Sequence, residues 1–258
     1  MASEIKLSTN ELVSALALCG HDHIASQILN ENKLINNDKE FERFVSESEW
    51  LLKQKGYWDE ERETKITAGL EDLLHLLVHS RRRVRCVKQN RVLFIHYLDD
   101  KNSMIQHVKE NDHTFSFHEN KLGYYELLCE YFEVQTNKEK DVDNLRPIQV
   151  SDEMFDELHT IEKEVIEAMI EDKALDKELR IFLKDFRRNK QELDNISFIE
   201  SNYVRDENEI DQIAFLLPSD EFIWHIDYEK VNDGEIYFAA INNKEYFDKI
   251  DETIKEFF

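Results

Sequence analysis

One pattern constrains this chain more than any other, because it occurs twice. Residues from about 82 to 134 read as four short strands followed by an amphipathic helix, and residues 193 to 258 read the same way. The closing helices match best. Tyr125, Leu128 and Phe132 fall at i, i+3 and i+7, as do Phe247, Ile250 and Ile254, each 122 positions later. Asn120 and Asn242 keep that offset at the mouths of the two helices. Order and period agree while identity is low, so the repetition is one of layout. A meander closed by a helix must bury one sheet face against helices. The expected fold is therefore α+β, in two pseudo-symmetric lobes. Each lobe would hold helices, a largely antiparallel four-stranded meander and a closing helix. The expected boundaries are 1–140 for the N-terminal lobe and 150–258 for the C-terminal lobe. The polar stretch 135–150, which contains Pro147, would be the junction.

At 258 residues and 41% hydrophobic composition, two fused lobes can each bury a core. With 5 Gly and 2 Pro, glycine-rich phosphate loops are hard to build, and neither G-x-x-x-x-G-K-S/T nor G-x-G-x-x-G occurs. Cys19, Cys86 and Cys129 are far apart and form no C-x-x-C, which suggests buried thiols in a reducing compartment. No basic-then-apolar opening and no apolar run of about 18 residues is present, so a soluble cytoplasmic protein without a membrane association is expected. The net charge of −23 is uneven. Residues 1–150 hold 20 Lys and Arg against 26 Asp and Glu, whereas residues 151–258 hold 13 against 30. Such a second half disfavours nucleic acid and attracts a basic protein partner.

The local signals fit this outline. Ser8 or Thr9 reads as an N-cap, with Glu11 in the first turn and Gly20 ending the helix. Further helices are expected at about 24–29, 39–55 and 63–79. The period then switches from about 3.6 to 2 within RRRVRCVKQNRVLFIHYLD. Ser151 caps a helix whose stripe runs from Met154 and Phe155 through Leu158, Ile161, Val165 and Met169, and a second helix carries Leu179, Phe182, Leu183 and Phe186. The second strand set is expected at 196–204, 210–217, 221–228 and 235–241.

Candidate chemistry is sparse. His75 and His79 lie four apart on a helix with Glu71 one turn earlier, a spacing that suits a metal. The base of an H-E-x-x-H site is missing, so ordinary surface histidines are the expected reading, with no metal and no cofactor. His96, His107, His113 and His118 all fall in the first strand set, where they could titrate together. No carboxylate stands out as isolated in an apolar setting, and no nucleophile elbow occurs, so no catalytic residue is assigned. The basic run from Arg81 to Arg91 is expected to pair with the acidic remainder of the chain. The most distinctive surface is the second central hairpin turn, where Leu216, Leu217, Pro218, Phe222 and Trp224 gather around Pro218-Ser219-Asp220. Exposed, this group would be a partner-binding site; buried, it would join the lobes.

The order of elements resembles a known family. A short helix of the type LSTNELVSALALCG opens the chain, a leucine-rich helix precedes a four-stranded meander and closing helix, and the unit recurs in an acidic second half. This layout is similar to the EspG-type chaperones of type VII secretion and their relatives encoded beside secreted toxins in Gram-positive bacteria. The resemblance implies a cytosolic, non-enzymatic protein that binds the helical targeting region of a secretion substrate or toxin. Two other functions fit the same sequence: an immunity protein neutralising a basic toxin, and a regulator using its N-terminal helices as a winged helix on DNA.

Overall fold

A computed structural model describes residues 4–31, 38–135, 142–202, 207–228 and 235–258. Its class is α+β, with antiparallel strand pairing. The chain groups into two compact units. The first comprises Met1–Arg83, Arg91–Glu119 and Ser201–Glu207; the second comprises Val84–Asn90, Asn120–Glu200 and Asn208–Phe258.

In the first unit, a four-residue strand β1 (Ile5–Ser8) leads directly into α1 (Thr9–Leu18). The Ser8 side chain accepts from the Glu11 N–H, and the Glu11 carboxylate accepts from the Ser8 N–H at 2.5 Å, a complete capping box. Helices α2 (Asp22–Glu31), α3 (Asp38–Gln54) and α4 (Ala68–His79) follow. The meander then contributes β3 (Arg91–Tyr97), β4 (Asn102–Lys109) and β5 (Asp112–Glu119), and β1 pairs with β5 to give the order β1-β5-β4-β3. Leu12, Leu16, Leu52, Leu70, Leu73 and Leu74 form the core with Met104 and Phe115 from the sheet. The helix expected from residue 63 begins at Ala68, because residues 57–66 instead form a loop closed by a bridge between Trp58 and Ile66.

β1 was not foreseen, and it brings an exposed edge that would invite foreign strands. Side chains cover it. The Lys6 N–H donates to the Tyr57 hydroxyl at 3.3 Å, and the Lys6 carbonyl accepts from Lys55 Nζ at 3.2 Å. Lys55 Nζ also reaches Glu11 at 2.7 Å, and the Glu11 side chain is 1% exposed.

Within the first unit a largely buried chain of hydrogen bonds links two of the four clustered histidines. His96 Nε2 donates to Gln106 Oε1 (2.9 Å), Gln106 Nε2 donates to His113 Nδ1 (2.9 Å), and His113 Nε2 donates to the Thr9 hydroxyl (3.1 Å). His107 lies exposed on β4.

In the second unit, β2 (Arg82–Lys88) from Val84 onward, β7 (Asp194–Asn202), β8 (Glu207–Pro218), β9 (Ile223–Ile226), β10 (Glu235–Ile241) and β6 (Ile148–Ser151) stand in the order β2-β7-β8-β9-β10-β6. Here too a short I-x-x-S strand, β6, flanks the last strand of a meander and runs straight into a serine-capped helix. That helix is α6 (Asp152–Thr160), and the Ser151 hydroxyl accepts from the Met154 N–H at 3.1 Å. The lobe junction expected at 135–150 thus ends in sheet, while residues 136–141 lie outside the described set. Helices α7 (Lys163–Glu171) and α8 (Lys177–Arg188) complete the layer over a core of Phe182, Phe186, Leu217, Phe222, Trp224 and Phe238.

The closing helices α5 (Tyr125–Phe132) and α9 (Asn243–Phe257) pack on each other, with the Phe132 and Phe247 rings stacked 5.7 Å apart. The helix that sequence analysis placed in the N-terminal lobe is accordingly grouped with the second unit. Asp251 fixes the contact: its carboxylate accepts from the Tyr124 N–H and from Lys255, both at 2.5 Å. Gly123 precedes this joint at φ +68°, and a Cβ there would meet both Asp251 carboxylate oxygens at 3.1 Å. Gly123→Ala is expected to lower stability by about 1–2 kcal/mol in urea unfolding, through left-handed strain and displacement of Asp251. A neutral outcome would mean that Asp251 does not hold these helices together.

Candidate partner-binding cleft

Helix α8 carries two stripes. Leu179, Phe182, Leu183 and Phe186 face the core. Ile181, Lys184, Asp185 and Arg188, at i, i+3, i+4 and i+7, form one wall of an open cleft of about 740 Å³. The other walls are Lys88 and Gln89 at the end of β2, Phe132, Glu133 and Gln135 at the end of α5, and the turn Pro218–Phe222 between β8 and β9.

The cleft walls are held by buried charge. Asp185 is 3% exposed; one carboxylate oxygen accepts from Trp224 Nε1 at 3.1 Å, and the other pairs with Arg188 at 3.0 Å. Burial holds its pKa above the usual aspartate value, although Ser219 and Trp224 donate to it and Arg188 lies close by. Arg188 then fastens the turn, donating to Asp220 at 2.6 Å and to the Pro218 carbonyl at 2.8 Å. Across the cleft, Lys88 is 7% exposed and donates to the Phe132 carbonyl at 2.6 Å and to Glu133 at 3.0 Å. An ammonium carries three donors, so one N–H of this buried cation is left over. Lys184 is exposed, and its side chain has no hydrogen bond or ion pair among the described residues.

Two lining residues occupy the left-handed region without being glycine: Gln89 at φ 53° and Glu133 at φ 58°. Glu133 stands where helices commonly end in Gly, and there its backbone N–H bonds back to Cys129 and Glu130. Each such residue costs about 1 kcal/mol, and backbone strain of this kind concentrates at functional sites.

The sequence-predicted partner group is divided by the structure. Leu216, Leu217, Phe222 and Trp224 are buried, and the last three belong to the core of the second unit. They form no exposed apolar patch; Leu217, Phe222 and Trp224 pack in one core with Phe182, Leu183 and Phe186 of α8. Pro218 is half-buried; it and one face of Phe222 line the cleft. The residues that sequence analysis missed are on α8. Asp185 sits between Leu183 and Phe186 in FLKDF, but nothing in that spacing says whether its carboxylate is buried.

Part of the basic run is engaged, while Arg81 is exposed. Lys88 is buried in the cleft wall, and Arg82, Arg83 and Arg91 all have partners. At the other end of the molecule's chemistry, Glu71 is engaged by Arg62 at 2.5 Å and Thr64 at 3.2 Å. No group of three or more His, Cys, Asp or Glu among the described residues is arranged to hold a metal ion. No described helix is long and apolar enough to cross a membrane. The free thiols of Cys19, Cys86 and Cys129 are all held above the ordinary cysteine pKa, chiefly by burial.

No protein-family model matches the sequence, and no curated protein does. The fold, however, has a solved counterpart. It is similar to a chain in the structure of the Mycobacterium tuberculosis type VII secretion system chaperone EspG5 in complex with the PE25-PPE41 dimer, with a TM-score of 0.52 and 8% sequence identity. The likeness covers 95% of this chain and 94% of the other, so it concerns the whole layout rather than a shared fragment.

Proposed function

We propose that this chain is a cytosolic, non-enzymatic chaperone or adaptor that holds the helical targeting region of a type VII secretion substrate or toxin, and that the α8 cleft is its docking site. The observation that carries the proposal is the cleft itself: a large open groove with strained backbone at its rim, cross-braced by Asp185 and Arg188 and offering uncommitted donors on Lys88 and Lys184. Its lining suits binding: several ion pairs are spent within the wall, and no nucleophile–base pair converges there. The fold likeness, over 95% of this chain, to a structure that holds a type VII secretion chaperone in complex with the PE25-PPE41 dimer supports the same reading.

The test is co-expression of this chain with helical secretion substrates and, separately, with the catalytic domains of the accompanying toxins. A stoichiometric complex with the targeting helices is expected. Lys184→Glu should weaken it about tenfold without altering the unfolding midpoint, because Lys184 supports nothing within the fold. Recovery of a tight complex with a toxin's catalytic domain alone would replace this function with immunity.

A further inference from the structure

We propose that the free edge of β6 takes an extended, basic segment of a partner polypeptide as one further strand. β6 stands last in the order of its sheet and pairs with β10, in the register Ile148–Phe238, Gln149–Tyr237, Val150–Ile236 and Ser151–Glu235. The direction of its free groups follows from the strand beyond. The Asp227 N–H donates to the Tyr237 carbonyl at 2.8 Å, so the backbone polar groups of Tyr237 face the β9 side. In an antiparallel ladder those of its partner Gln149 then point away from β10, out of the sheet, as does the N–H of Ser151 two residues on. β1, the other I-x-x-S strand, has the matching register, and there Lys6 holds the position of Gln149. The Lys6 N–H and carbonyl are taken by Tyr57 and Lys55. Gln149 has no such cover among the described residues: its side chain is exposed, and neither that side chain nor the outward backbone groups find a partner. An uncovered edge of this kind is a template for strand addition.

The two faces of the edge say which strand fits. One carries Ile148 and Val150, both buried in the core of the second unit. Met154, whose N–H bonds the Ser151 hydroxyl, is 49% exposed at the end of the strand. The other face carries Gln149 and Ser151, with Tyr237 and Glu235 across from them and Asp227 opposite Tyr237. The Glu235 carboxylate accepts from the Tyr237 hydroxyl at 2.9 Å, and no described cation pairs with it. An incoming strand therefore alternates apolar side chains, laid on the side of Ile148 and Val150, with Lys or Arg on the side of Glu235 and Asp227. Charge speaks against a second copy as the occupant, because residues 151–258 hold 13 Lys and Arg against 30 Asp and Glu and two such halves repel. Pro147, which has no N–H, bounds β6 on one side and α6 on the other, so the added ladder is short and the contact weak and reversible. β6 contributes nothing to the α8 cleft, so this contact stands apart from the docking site proposed there.

The experiment is a titration of the full, isotopically labelled chain with the capped peptide Lys-Val-Lys-Val-Lys, followed by amide chemical shifts and hydrogen exchange, with Glu-Val-Glu-Val-Glu as the control peptide. Saturable shifts and slowed exchange are expected at the Gln149 and Ser151 amides with the basic peptide, and none with the acidic one. Gln149→Pro removes an outward donor without touching a bond to β10, and should weaken binding about tenfold, the value of one backbone hydrogen bond. Gln149→Lys should weaken it about threefold, through like charge on the shared face. Unchanged unfolding midpoints will show that the fold of each variant is intact; should Gln149→Pro fail to fold, Gln149→Lys and the exchange pattern of the parent decide. Equal binding of the acidic peptide, shifts that bypass Gln149 and Ser151, or affinity unaltered by Gln149→Lys overturns the proposal. Concentration-dependent shifts at these two amides without peptide would give the edge to a second copy and overturn it as well.

Discussion

Lys55→Met is expected to destabilise the first unit by about 3 kcal/mol. Lys55 is the cation that Glu11 faces, and the Glu11 side chain is 1% exposed. The carboxylate already accepts the Ser8 N–H in the capping box, so it cannot turn toward water without uncapping α1. Removing the ammonium leaves a buried anion balanced by one neutral donor. It also frees the Lys6 carbonyl on the edge of β1. A buried pair broken on one side typically costs about 3–5 kcal/mol; the lower end applies because Lys55 is itself 37% exposed and water can replace part of it. Urea unfolding followed by circular dichroism measures the loss. Adding Glu11→Gln should restore much of it, since a neutral amide still accepts from Ser8. If Lys55→Met stays within about 0.5 kcal/mol of the parent, the pair is a surface contact and the account of this edge fails.

Stability is also expected to fall by about 3 kcal/mol between pH 6.5 and pH 4, because of His96. Burial pushes its pKa from 6.5 down to about 4, helped by nearby Arg83 and opposed by the Gln106 hydrogen bond. The sign follows from proton binding. Below 6.5 the unfolded chain takes a proton that folded His96 refuses until about pH 4. Stability is thus complete above 6.5 and declines as pH falls through that window. Protonation would put a donor on Nδ1, which is buried and has no partner. His113, on the far side of Gln106, is also held below 6.5 by burial, against the pull of Asp112, and adds to the same slope. Its Nδ1 accepts from Gln106, so its protonation breaks the chain of bonds at that link. His96→Gln should flatten most of the dependence, leaving the part due to His113. An equally steep decline in that variant would assign the effect elsewhere, for instance to acidic Glu and Asp groups titrating lower in pH.

The sequence made the meanders legible because their side chains alternate: Val84, Cys86 and Lys88 point inward, as expected of one strand face. Capping chemistry revealed α1 and α6 through Ser8 and Ser151. The strands before those caps were invisible. IKLS and IQVS are four residues each, too short for a period, and they become strands only because β5 and β10 offer a free edge. The cleft was half legible. Its turn was found from Pro218-Ser219-Asp220, but large apolar side chains in a strand do not declare which face they take. Here Trp224 and Leu217 went under α8, and the cleft wall is made by Ile181, Lys184, Asp185 and Arg188 on the helix above. Ion-pair partners were unreadable from sequence, because Lys88 finds Glu133 and Lys55 finds Glu11 across separations of 45 and 44 residues.

The cleft walls come from residues 88–89, 132–135, 181–189 and 218–222. During synthesis the final wall emerges from the ribosome long after the first, so the cleft is complete only once residues 218–222 have been made. A chain stopped before that turn would carry α8 without the Asp220 carboxylate and the Pro218 carbonyl that Arg188 holds.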